Sequence, residues 1–365
     1  MIVFVLLFFA LCVYKMKITP HFFEGGYYED YLSVEKTTAI KGIFICVVFF
    51  KHIGDYIEYT TKLDNYSMLF VKWGFQTLVT MFFFYSGYGI MESIKKKGLP
   101  YVKTIPTKRI TSVLYRFDLI VLIFIVLHLI YDGFDFGLKK VVLALVGWDS
   151  FGNSNWYIFA VLLLYVFTYL AFRFIKNHNI SLIILTGITC VYIVFMLLYF
   201  RSKGTCWFNT VLCYPLGVFW SLYGEKLCKL INKNLLTYIL SFIVIGGAFA
   251  VTWYYRLNHY ASFVDYGVEM VMNLLFVLTL VLITMKVQIH NKILNWLGTH
   301  LFELYILQRI PMLILSNLGL NDFNKYLFVL ASAVCTICLG AVVKPILDKT
   351  WAKIVNINTK KVKSN

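Results

Sequence analysis

The sequence predicts an all-α fold, a polytopic transmembrane helical bundle of ten to eleven spans. Two observations carry this. Of 365 residues, 60% are hydrophobic and only 14% charged, against about 25% charged in a soluble domain. The apolar residues also fall into runs of roughly 17 to 25, the length that crosses a ~30 Å hydrocarbon core as a helix. The alternating segments of about ten residues that build a membrane β-barrel are absent.

Taken in order, the first apolar run covers 2–14 and is the doubtful span. Lys15 and Lys17 follow it rather than precede it, and no small-x-small cleavage site is present, so it reads as an uncleaved first helix and not a signal peptide. Ten further spans are expected at 38–57, 68–93, 110–131, 156–172, 180–200, 207–223, 235–254, 266–285, 296–315 and 326–343. The segment 139–148 is apolar but too short to cross and reads as a surface or re-entrant piece. With 15–37 in the cytoplasm and strict alternation after it, the cytoplasmic connections hold 22 Lys and Arg and the outer ones 7. Positive charge concentrates on the cytoplasmic side of membrane proteins. The bias therefore puts the basic loop 95–109 and a basic tail, 344–365, in the cytoplasm. It also accounts for the net charge of +16 without a nucleic-acid partner. No repeat, linker or soluble segment interrupts 1–365, so a single integral membrane domain is expected. Cys335 and Cys338 form a C-x-x-C without a second ligand pair and read as packing residues, and no metal site is expected.

The span "TTAIKGIFICVVFFKHIGDY" (37–56) contains Lys41, Lys51, His52 and Asp55. Ionisable groups inside a bilayer are expensive and mark function. Lys41 and His52 are eleven residues apart, which puts them on one helix face about 16 Å apart. Singly, Lys41 could snorkel to the surface and His52 could make a structural hydrogen bond; together they suggest a polar path. A neutral His suits proton abstraction from a hydroxyl, and a distant cation suits a phosphate.

A basic residue, a Gly and then a His closing the spacing resembles the membrane-bound acyltransferase 3 family. "MFFFYSGYGI" (81–90) resembles its aromatic Ser-Gly signature. "TKRITSVLYRF" (107–117), "NSNWYIFAVLLLYVFTYL" (153–170) and "WLGTHLFELYILQRIPM" (296–312) resemble its later segments, in order, over about 34–343. This chain has Lys41 where the family usually has Arg, and Gln308 where it often has a second His. The resemblance implies transfer of an acyl group, acetyl or succinyl, from cytoplasmic acyl-CoA as co-substrate to a hydroxyl of a cell-surface carbohydrate or its lipid-linked precursor. No bound cofactor is expected, and the protein would sit in the bacterial plasma membrane among lipid partners, with a homodimer possible. The rival reading is a transporter or flippase for a polysaccharide precursor.

On the transferase reading His52 is the general base. Asp55, one turn on, either holds the imidazole tautomer or is a solvated cap. Lys41, Lys108, Arg109 and Arg116 are the candidate donor-binding cations. Ser86, Tyr88, Asn155, Trp156, Glu303, Gln308 and Arg309 are the candidate acceptor or channel-lining residues.

Overall fold

The computed structural model describes residues 1–259, 262–289 and 291–363, with side chains described except at 63, 69–76 and 357–363. The last two residues of the predicted basic tail, Ser364 and Asn365, lie outside the described residues. The helices are α1 (Ile2–Val13), α2 (Val34–Ile53), α3 (Lys62–Lys97), α4 (Leu99–Ile105), α5 (Ser112–Tyr131), α6 (Leu138–Leu145), α7 (Trp156–Phe174), α8 (His178–Tyr199), α9 (Cys213–Ile231), α10 (Leu235–Asn258), α11 (Phe263–Lys286), α12 (Lys292–Thr299), α13 (Leu301–Leu307), α14 (Arg309–Asn317), α15 (Leu320–Phe323) and α16 (Lys325–Lys363). Two short strands, β1 (Met16–Ile18) and β2 (Val287–Ile289), pair antiparallel with Met16 opposite Ile289.

Local chemistry starts several of these helices. Ser33 caps α2 by accepting from Lys36 N. Thr61 with Asp64, Asn234 with Thr237, and Ser262 with Asp265 form capping boxes at α3, α10 and α11. Each satisfies two amides that the first turn leaves orphaned.

Among the described residues, six helical stretches are at least 18 residues long and apolar enough to cross a membrane: Leu99–Tyr131, Trp156–Phe174, His178–Tyr199, Leu235–Asn258, Phe263–Lys286 and Lys325–Asn356. This is a multi-pass membrane protein. Its outer surface agrees, since Ile183, Val191, Val244 and Val251 on α8 and α10 are two-thirds or more exposed, a pattern that suits hydrocarbon rather than water.

These six account for part of the ten to eleven spans that hydropathy predicts, and the remaining predicted segments have features of their own. α2 is 20 residues long but carries Lys36, Lys41 and Lys51. α3 is 36 residues long, and its side chains at 69–76 lie outside the described residues. The predicted 207–223 becomes helical only from Cys213. The predicted 296–315 is not one helix but α12, α13 and α14, broken at His300 and again at Gln308. Pro311 explains the second break, because it lacks an N–H and its ring crowds the carbonyl of Leu307, four residues back. α1 has 12 residues, too few to span. The predicted short segment 139–148 is the helix α6.

Cys335 and Cys338 are exposed on α16 with free thiols, so they face outward instead of packing inside the bundle. They lie in an apolar run, but their positions on it face away from the core.

Two crossings bring backbones into contact. A Cβ at Gly42 or Gly298 would collide with backbone at Leu294 or Thr38, locking α2 onto α12. A Cβ at Gly87 or Gly217 would strike Tyr214 or Phe84 backbone, locking α3 onto α9. Small residues permit such approaches where lipid supplies no hydrophobic drive between helices. The first crossing fixes α2, and with it both polar groups of the opening span.

Candidate active site

His52 lies in the last turn of α2 and is 8% exposed. Its neighbours come from far along the chain. Arg309, at the start of α14, donates to His52 Nδ1 from Nε (3.1 Å) and Nη2 (2.9 Å). The same Nη2 donates to Asp55 Oδ2 at 2.8 Å, and Nη1 reaches the Gly152 carbonyl at 3.4 Å. Lys51 Nζ closes the group on Asp55 Oδ1 at 2.8 Å. Ser154 Oγ lies 3.3 Å from His52 Nε2.

These contacts decide the tautomer. A guanidinium can only donate, so Nδ1 accepts, the ring proton sits on Nε2, and Ser154 Oγ accepts it. The expectation that Asp55 holds the imidazole is corrected here. Asp55 Oδ2 is 4.0 Å from Nδ1, and Arg309 stands between them. Asp55 positions Arg309, and Arg309 positions His52.

Ser154 escaped the sequence reading, although it sits inside the quoted N-S-N-W run. The signal that could have found it is a polar cluster opening an apolar span. The loop before α7 holds it in place. Asn153 Oδ1 accepts from Phe151 N at 3.0 Å, and Asn155 Nδ2 donates to the Gly147 and Asp149 carbonyls, each at 3.0 Å. The Asn155 amide is therefore spent on the loop. Trp156 packs its ring against Phe83 and Tyr157.

At the other end of α2, Lys41 is partly buried with Nζ 5.4 Å from the centre of the Tyr85 ring. Arg109 lies within electrostatic range of it. Arg109 Nε donates to Tyr101 OH at 3.2 Å. A π-helical turn, Pro106–Thr111, sets its direction. Pro106 disrupts the regular ladder, and the wider turn re-aims the side chains that follow; such turns recur at functional sites. Among the described residues, no Asp or Glu forms an ion pair with Lys41 or Arg109.

The other two candidate donor cations stand apart. Lys108 is exposed. Arg116 is committed to carboxylates, Asp348 at 2.7 Å and Glu303 at 3.3 Å, and Lys344 approaches Glu303 at 3.5 Å. Arg116 and Glu303 thus tie α5, α13 and α16 together.

Between the two ends runs a series of hydroxyls. Tyr214 OH bonds Thr168 Oγ1 at 2.8 Å. Tyr157 sits against Ser86 and meets Tyr305 edge to face at 5.6 Å. Tyr85 OH and Tyr305 OH are buried without a hydrogen-bond partner among the described residues. Tyr88 is partly buried and stacks on Phe84. Gln308 is buried, with Nε2 donating to the Tyr305 carbonyl at 3.1 Å. Unfilled buried acceptors and donors of this kind are expensive unless a ligand completes them.

No curated protein and no solved structure matches the chain. A family model described as an acyltransferase domain matches residues 37–344. That stretch contains α2 with Lys41 and His52, the Arg109 turn, the Ser154 loop and Arg309, so the whole arrangement lies within a chain that belongs to the acyltransferase 3 family.

Proposed function

We propose that this membrane acyltransferase moves an acyl group, acetyl or succinyl, from cytoplasmic acyl-CoA to a hydroxyl of a cell-surface carbohydrate or of its lipid-linked precursor. The observation that carries the reading is the contrast along α2. An uncompensated pair of cations, Lys41 and Arg109, sits at one end, and a neutral, oriented imidazole sits about 16 Å away. The pair suits the phosphates of a CoA ester. The distance suits a long extended arm that delivers its thioester to His52. The excess of Lys and Arg in the connections at the Lys41 end supports placing that end in the cytoplasm.

The acceptor hydroxyl displaces Arg309 from Nδ1 of His52 and gives its proton there. Its oxygen forms the new C–O bond to the acyl carbon as the thioester C–S bond breaks. Arg309, released, faces the oxyanion of the tetrahedral intermediate, as a preorganised donor should. The proton on His52 then passes to the CoA sulfur, leaving an ester and free CoA. Ser154 keeps the Nε2–H throughout. The hydroxyls between the ends line the path of the arm.

The deciding experiment incubates detergent-purified protein with acetyl-CoA and measures binding and slow hydrolysis. Surface glycans from cells with and without the protein are compared by mass spectrometry. Binding together with an acyl mass increment that depends on the protein is the expected result. A transporter or flippase for a polysaccharide precursor would show neither.

A further inference from the structure

Beside the His52 end, a cleft of about 270 Å³ opens between α1, α2, α16 and the broken helix α12–α14. Phe4, Phe50 and Gln308 line it near His52, and Leu11, Leu297 and Ile337 line its far end. The rim residues Leu7 and Leu330 are 61% and 52% exposed, so the cleft opens sideways, toward surrounding hydrocarbon and not toward water. Thr336, one of its few polar residues, turns its hydroxyl back to the Ser332 carbonyl at 2.7 Å.

Gln308 breaks this apolar lining. It is 1% exposed, and its Oε1 accepts no hydrogen bond among the described residues. A buried acceptor left unmade costs about 1 to 3 kcal/mol, so a ligand that donates there is favoured. The neighbouring residue, Arg309, is the one that holds His52. A narrow hydrocarbon slot with one unfilled acceptor at the end next to the imidazole fits an amphiphile lying tail-inward.

We infer that the slot binds the hydrocarbon tail of a single-chain lipid whose head carries a hydroxyl or N–H donor to Gln308, and that this lipid is the carrier of the acyl acceptor. The inference rests on the transferase reading for the carrier role. The slot alone supplies the lipid preference. A carrier held this way enters from within the membrane, and its head emerges beside His52 without the acceptor crossing the bundle.

The test uses the full chain in phosphatidylcholine vesicles. The probes are a long-chain fatty alcohol bearing a diazirine near its tail and the matching methyl ether, which lacks the donor. Photo-adducts are located by peptide mass spectrometry. Labelling should concentrate on slot residues of α1, α2 and α16, with the alcohol labelling roughly two- to tenfold more than the ether, the ratio expected for one net hydrogen bond. Gln308→Leu should erase that ratio while both probes still label. Ala333→Trp, which fills the slot, should remove labelling by both probes and transfer to a lipid-borne acceptor, yet retain acyl-CoA binding. Equal labelling by alcohol and ether overturns the inference and makes the slot an ordinary contact with bilayer chains. So does labelling spread evenly over α8 and α10. Undiminished transfer to the lipid-borne acceptor by Ala333→Trp removes the carrier role and leaves the transferase reading intact. Selective slot labelling by a parent protein that fails to bind acyl-CoA overturns the transferase reading and the carrier role with it.

Discussion

The two ends of α2 treat charge in opposite ways. At the His52 end every ionised group has a partner: Lys51 and Arg309 both hold Asp55, and Arg309 also holds the imidazole. At the Lys41 end two cations, Lys41 and Arg109, share a partly buried region with no carboxylate paired to either among the described residues. Isolated buried charge is costly, so the first end is complete as it stands and the second awaits an anion. The same contrast separates the two Arg residues of the next helical stretch. Arg116 is paired with Glu303 and Asp348, whereas Arg109 bonds a phenol, with no carboxylate paired to it among the described residues. A basic residue inside a membrane is therefore a candidate for substrate binding when its charge is left over, not merely because it is basic.

The strongest way to break this comparison is at the complete end. His52→Ala should lower glycan acylation by about 10² to 10⁴, the usual loss for a general base, while the protein still accumulates in the membrane. Full glycan modification by a stable variant would make His52 a structural residue. The next effect lies at the incomplete end. Lys41→Gln should weaken acyl-CoA binding about ten- to a hundredfold, as expected for one charge-assisted hydrogen bond of roughly 1.5 to 3 kcal/mol, whereas Lys41→Arg should keep most of it. Equal affinity in Lys41→Gln and the parent, read side by side by calorimetry, would show that Lys41 snorkels.

Smaller differences sharpen the picture. Asp55→Asn keeps the shape of the side chain but removes the charge that anchors Arg309. Asp55 is 40% exposed on its side chain, and exposed ion pairs are worth about 0 to 1 kcal/mol. A loss of no more than about fivefold in transfer rate is expected, with acyl-CoA affinity unchanged. A loss as large as that of His52→Ala would instead place Asp55 in direct contact with the imidazole during turnover. Least of all, Lys108→Gln should leave acyl-CoA affinity at the parental value, because Lys108 is exposed and Arg109 alone turns inward. A tenfold loss there would mean that the donor extends over the Pro106–Thr111 turn.

Much of the architecture was legible in the sequence because hydrophobic runs are local. The predicted spans at 156–172, 235–254 and 266–285 lie inside α7, α10 and α11, and 180–200 overruns the end of α8 by one residue. The pairing of Lys41 and His52 on one helix, eleven residues apart, was legible for the same reason. The break in 296–315 was less so: Pro311 was visible, but an apolar run around a proline reads as a span by hydropathy alone. The Pro106 turn that aims Arg109 was hidden likewise, since its effect is on direction and not on composition.

The sequence by itself determined a multi-pass helical membrane protein, the family it belongs to, and which ionisable residues enter its apolar segments, since all of these are read from composition and from motifs in order. Only the tertiary structure decided which of those residues meet. Arg309 and His52 are 257 positions apart, Arg116 and Glu303 are 187 apart, and Ser154 reaches His52 across 102. The physical reason is that hydropathy acts over one helix length, whereas a buried charge is satisfied by whichever partner helix packing carries to it.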